Sequence, residues 1–161
     1  MPVTIDKYWM QQALLLADRA AELGEVPVGA VVVLDNQIVG EGWNRPISGC
    51  DPTAHAEIIA LRAAAEAVGN YRLPDAELYV TLEPCSMCAG AIVHARIKRL
   101  VYGAKEPKAG VVESQQAFFQ QDFLNHQVDV MGGVLEEESA AKLQCFFQQR
   151  REAKKRLKRG G

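Results

Sequence analysis

An α/β fold is encoded here, three layers deep, with helices on both faces of a mixed five-stranded sheet. Three observations lead to it. From Glu77 onward, short apolar runs alternate with helical patterns, and strand–helix–strand units pair their strands in parallel. Two earlier β-branched runs are separated by two turn residues, which makes an antiparallel hairpin. The chain has 161 residues, enough for one core and too few for two ordinary ones. Residues 1–161 therefore read as a single domain, with no internal repeat and no linker.

Residues 5 to 23 carry Leu14, Leu15, Ala17, Ala21 and Leu23 at helical spacing, and Gly24 is a stop signal. Val28 to Leu34 is a β-branched run, Asp35-Asn36 turns the chain, and Gln37 to Trp43 returns. Gly40 and Gly42 weaken the end of that second strand and permit a close backbone approach there. Asn44 to Thr53, with Pro46, Gly49 and Pro52, is a loop. Ala54 to Val68 is Ala-rich and ends at Gly69, a helix with a glycine stop. Glu77 to Leu82 is a strand, Cys85 to Ala95 a helix after Pro84, Arg99 to Gly103 a strand, and Gly103 to Gly110 a loop. The pattern from there to Gln127 decides nothing. Gln127 to Met131 is a short strand, Gly132-Gly133 a turn, and Leu135 to Arg159 a long C-terminal helix.

Composition is that of a soluble globular protein, 48% hydrophobic and 24% charged. No apolar run approaches the ~20 residues that cross a bilayer. Met1 to Trp9, with Asp6 and Lys7, lacks the build of a signal peptide. The expectation is a cytoplasmic protein with no membrane partner. The net charge of −2 hides an asymmetry. From Arg150 to the end there are seven basic residues and one acid, on a body with eleven basic and nineteen acidic residues. Such a basic end attracts polyanions locally, although basic residues also suit the end of any solvated helix.

The chemistry sits in two short motifs. His55-Ala56-Glu57 is followed thirty positions later by Pro84-Cys85-Ser86-Met87-Cys88. One His and two Cys make a zinc set, and a set of three leaves one tetrahedral position open, which marks a catalytic site. In the first turn of a helix, Cys85 and Cys88 share a face, and the helix N-terminus favours thiolates. His55 opens another helix, so two helix N-termini converge at the strand ends. His55 and Glu57 would point apart on a mature helix. The pair works only near the first turn, with Glu57 turned toward the open position. Glu57 is then a proton carrier, and Glu57→Ala should keep zinc while losing turnover. The soft Cys₂His set favours zinc over iron, one Zn²⁺ per subunit.

Other readings stand beside this one. The C-x-x-C could be a redox pair. A closed structural zinc would need a fourth ligand from Cys50, His94, His126 or Cys145, none of which has ligand spacing. Cys50 and Cys145 read as ordinary thiols, His94 as a helix-end residue and His126 as a loop residue.

The layout H-x-E then P-C-x-x-C is the known signature of zinc nucleobase deaminases. The stretches GEVPVGAVVV (Gly24 to Val33), GEGWNRPI (Gly40 to Ile47), DPTAHAEIIALR (Asp51 to Arg62) and LYVTLEPCSMCAGAIVHARIKRLVYGA (Leu78 to Ala104) resemble the bacterial TadA-type tRNA adenosine deaminases of the cytidine-deaminase superfamily. So do KAG (Lys108 to Gly110), the first helix, and the Phe146-Phe147…Arg150-Arg151 tail.

The resemblance implies zinc at His55, Cys85 and Cys88 and proton transfer by Glu57. It implies that Asn44 bonds the target nucleotide and that Glu25, Val26, Pro27 and Ala54 line a pocket for a flipped adenine. A stacked base cannot reach such a pocket, so the substrate is splayed from a loop. The family substrate is the wobble adenosine of an arginine tRNA anticodon, which becomes inosine, and members are homodimers. Glu106, Lys108, Phe147, Arg150 and Arg151 would then contact RNA. Two departures bear on those contacts. Glu106 stands where Asp is expected, and Val111-Val112-Glu113 replaces smaller residues before Ser114. Two rival functions remain, a deaminase of free bases or nucleotides and a zinc-stabilised RNA-binding protein without catalysis. RNA affinity carried by the tail should fall steeply with salt, whereas turnover of a monomer should not.

Overall fold

The computed structural model describes residues 2–160. In chain order the elements are α1 (Pro2–Glu22), β1 (Gly29–Leu34), β2 (Gln37–Trp43), α2 (Ala56–Val68), β3 (Glu77–Leu82), α3 (Ser86–His94), β4 (Arg99–Ala104), a 3₁₀ turn at Phe118–Gln120, β5 (Asp129–Met131) and α4 (Glu136–Gly160). The five strands form one sheet in the order β2-β1-β3-β4-β5. β1 pairs antiparallel with β2 and with β3, while β3–β4 and β4–β5 are parallel. The mixed α/β/α architecture is the expected one. The stretch that decided nothing in sequence folds mostly without regular structure. The last strand is shorter than expected, three exposed residues at the sheet edge.

Local chemistry explains the hairpin. Asp35 and Asn36 take left-handed backbone, with φ 52° and 61°, the geometry that joins twisted strands through two residues. β1 and β3 are buried on both faces, hence their continuous apolar runs. On one face Ala30, Val32, Leu78, Val80 and Leu100 pack against Ala60 and Ala64 of α2 and Ile92 of α3. On the other, Val31, Val33, Tyr79 and Val101 pack against Met10, Ala13 and Leu16 of α1. Each fully buried aliphatic side chain of this kind contributes about 1.5–3 kcal/mol.

Gly40 and Gly42 let α2 lie flush on β2, as their place in the sequence suggested. A Cβ on Gly42 would stand 2.3 Å from the Ala56 carbonyl oxygen, and one on Gly40 2.3 Å from that of Ala60. At the far end of the sheet, Arg99 grips both oxygens of Asp6, at 2.9 and 2.6 Å, and Tyr79 donates to Asp6 at 2.8 Å. This network ties α1 to β3 and β4. Burial raises the Asp6 pKa, but the bonds from Arg99 and Tyr79 and the Arg99 charge outweigh it, and the net direction is down.

Candidate metal and catalytic centre

His55 and Cys85 are the N-cap residues of α2 and α3. Both have extended backbone (φ −75°, ψ 154° and φ −80°, ψ 177°), and neither cap makes a side-chain bond to its helix. Positions usually held by Ser, Thr or Asp for stability are here given to metal donors. The extended His55 also resolves the spacing with Glu57. His55 precedes the helix, so the pair is not subject to the helical rotation that would separate their side chains.

The donor atoms fit a tetrahedral cation. The Nδ1 atom of His55 lies 3.6 Å from Cys85 Sγ and 3.5 Å from Cys88 Sγ. A zinc ion bonded to sulfur at ~2.3 Å and to nitrogen at ~2.0 Å with tetrahedral angles sets N···S at roughly 3.5 Å. All three ligand atoms lie within 4.8 Å of one another. The donors are also in hydrogen-bond contact with one another. The bond from Cys88, against burial and with help from His55, brings Cys85 down to about 3. Bonding to Cys85, then burial, raises Cys88, and bonding to Cys85 raises His55. A divalent cation takes the place of the protons on these donors.

Glu57 stands outside the ligand triad, 4% exposed, in the wall of the same cavity. Burial pushes its carboxyl up to about 7, the range where a group both takes and gives protons at neutral pH. A cation on the triad favours the carboxylate. The cavity measures about 180 Å³, smaller than the ~300–1,000 Å³ that buries a whole drug-sized ligand. It suits a single base with the rest of its chain outside.

Carboxylates hold the surrounding loops. Glu25, 1% exposed, accepts the backbone N–H groups of Ile47 and Ser48, the latter at 2.6 Å. Asp51 accepts from the Thr53 N–H at 2.9 Å and its hydroxyl at 2.7 Å, two residues before His55. Glu83, 2% exposed, accepts from the N–H groups of Glu106, Glu113 and Ser114 and from the Ser114 hydroxyl. Against the penalty of burial, these bonds hold its pKa below the usual value.

Of the residues singled out in the sequence, His55, Glu57, Cys85, Asn44, Val26 and Glu106 meet at the cavity, with Cys88 completing the donor triad. Glu25, Pro27 and Ala54 are not part of that lining. Glu25 is turned toward the 47–48 backbone, Ala54 is 2% exposed, and Pro27 borders a groove between α1 and α4. Lys108 is exposed beside Glu106, whose carboxylate accepts the Lys108 N–H at 3.0 Å. Phe147, Arg150 and Arg151 are exposed on α4, and Arg150 stacks over Phe146 at 5.2 Å. His94 ends α3, and His126 donates to the Ile97 carbonyl at 2.7 Å, each in the role the sequence suggested. Cys50 and Cys145 are exposed free thiols. Sequence reasoning passed over Val28, Leu82, Glu83 and Ala109 in the lining. Glu83 carried a signal, an acid ending an apolar strand directly before Pro84-Cys85.

The model of the cytidine and deoxycytidylate deaminase zinc-binding region matches residues 3–104. A tRNA-specific adenosine deaminase of Haemophilus influenzae is 58% identical over 151 residues, which cover 93% of this chain and 87% of that protein. One of Agrobacterium fabrum is 52% identical over 144 residues, covering 89% and 95%. A solved structure from a study of A-to-I editing by tRNA:A34 deaminases at the wobble position is similar, with TM-score 0.82 and 53% identity over 84% of this chain and 99% of that one.

Proposed function

The chain belongs to the cytidine and deoxycytidylate deaminase zinc-binding family, and on that footing we propose that it converts the wobble adenosine of an arginine tRNA anticodon to inosine. The observation that carries the chemistry is the triad at tetrahedral spacing with Glu57 separate and buried beside it. The relatives support the substrate, since they are tRNA-specific adenosine deaminases.

His55, Cys85 and Cys88 would hold one Zn²⁺, which when bound would supply the Lewis acidity that activates water. Glu57 takes a proton from the water that adds to C6 of adenine. The carboxyl delivers that proton to N1, then takes the proton of the new C6 hydroxyl and passes it to the departing amine. Ammonia leaves, a carbonyl remains, and atoms balance as adenosine plus water to inosine plus ammonia. Asn44 and Val26 hold the flipped base. Glu25 and Ala54 shape the pocket from behind, and Pro27 supports the same segment. Glu106 and Lys108 meet nucleotides beside the target. Phe147, Arg150 and Arg151 on α4 meet the RNA by stacking and charge.

The domain spans residues 1–161, and the cytoplasm is its place, where tRNA and reduced thiols coexist. Among the described residues no helix is long and apolar enough to cross a membrane. The chain works as a homodimer. Ile58, Leu61 and Ala65 of α2, with Tyr71 and Ala91, form an apolar strip on the outer side of α2 and α3 that suits a second copy. Mass spectrometry for inosine tests the reading, with an arginine-type anticodon stem-loop beside free adenosine, cytosine and guanine. Inosine at the wobble position alone supports it. Turnover of a free base with a silent stem-loop overturns it.

A further inference from the structure

We propose that Glu83 is a positioning residue whose buried carboxylate fixes the 105–114 loop and so sets affinity for the RNA around the target base more than the rate of deamination. The inference rests on the RNA reading above. Glu83 is itself held firmly. It follows the last residue of β3, and its own N–H bonds the Ala104 carbonyl at 2.9 Å. From that anchor its two oxygens reach three backbone N–H groups, of Glu106 (3.1 Å), Glu113 (2.8 Å) and Ser114 (2.9 Å), and the Ser114 hydroxyl. One side chain thus pins both ends of the loop.

The loop needs such a pin. Lys105, Pro107, Lys108 and Ala109 are exposed, yet Glu106 and Ala109 form part of the cavity wall with His55 and Glu57. Val111 and Val112 enter the core, but the stretch 105–109 before them is mostly exposed backbone with few buried apolar contacts, and such backbone opens easily. Gly110 packs against the pin from the other side. A Cβ there would stand 2.5 Å from the Glu83 carboxyl carbon and 2.6 Å from the Glu106 carbonyl oxygen. An ionised carboxylate only accepts, and every partner here donates. Glutamine would set an NH₂ group against an N–H or hydroxyl donor, so the site selects the acid itself. Neither the triad nor the proton path of Glu57 uses Glu83.

The test compares zinc-loaded wild type, Glu83→Gln and Gly110→Ala on an arginine-type anticodon stem-loop. The readouts are KM and kcat separately, with zinc content and melting temperature. Bonds to charged groups are individually strong, so each variant should raise KM about tenfold or more, a larger factor than any loss in kcat, and retain one zinc per chain. Gly110→Ala keeps the acid but drives a Cβ against its carboxylate, displacing the pin without removing it, and decides the matter if Glu83→Gln does not fold. Unchanged KM in the folded variants, or a fall in kcat at unchanged KM, overturns the role of Glu83. A wild type that makes no inosine from the stem-loop instead sinks the substrate reading.

Discussion

Substituting Gly42 with alanine is the sharpest probe of how the fold places the catalytic proton carrier. The added Cβ would stand 2.3 Å from the Ala56 carbonyl oxygen and 2.6 Å from the Ala60 nitrogen, where ordinary contact begins at 3.4 Å. Both obstacles are helix backbone, which cannot rotate away. α2 must therefore lift from β2 by about 1 Å, since close-packed interiors hold no slack to absorb it. The carbonyl that is struck belongs to Ala56, between His55 and Glu57. A displacement of ~1 Å at reacting groups costs on the order of 10²-fold in rate, and overpacking costs about 1–3 kcal/mol in stability. Gly40→Ala strikes Ala60 and Ala64 instead, at 2.3 and 2.7 Å. It should lose similar stability and less activity, because the strain enters farther along the helix. Single-turnover inosine formation, zinc content and urea melts separate these effects. A Gly42→Ala protein with wild-type melting and a rate within twofold would refute the reasoning, for it would mean that close packing on β2 does not place Glu57.

Four further outcomes follow from the same structure. Glu57→Gln should keep its zinc and lose about 10²–10⁴-fold in kcat; loss of metal by elemental analysis would make Glu57 a ligand. Zinc uptake by the stripped protein should release protons and strengthen as pH rises, because Cys88 and His55, both raised, must give theirs up; calorimetry in buffers of differing ionisation enthalpy reads this, and an absence of proton release contradicts the triad. Asp6 has a lowered pKa, so its contribution is full above the unfolded value of ~3.9 and is lost as pH falls through the folded value. Asp6→Asn should then cost roughly 2–3 kcal/mol at pH 7 and much less in strong acid, and an equal cost in urea melts at both pH values would refute the bond network. Arg150→Ala with Arg151→Ala should weaken stem-loop binding and flatten its salt dependence by about two counterions; an unchanged slope in filter binding would return α4 to a solvated helix end.

Much of this was legible in one dimension. The helices, the Asp35-Asn36 hairpin and the parallel second half announce themselves through periodicity and turn residues, because each is decided within a short window of chain. The donor set was readable because zinc chemistry restricts residue type and spacing so tightly. Even the Gly40–Gly42 approach left a mark, glycines where a strand would prefer side chains. The sheet order, the use of His55 Nδ1, and the tasks of Glu25 and Glu83 were not readable. Each depends on groups 22 to 33 residues apart or on which strands meet, and no local pattern records such a distance. Glu25 read as a pocket wall and Glu83 as nothing in particular. Only burial turned them into the acceptors that hold the two loops, because a carboxylate taken out of water must find donors, and the backbone of those loops supplies them.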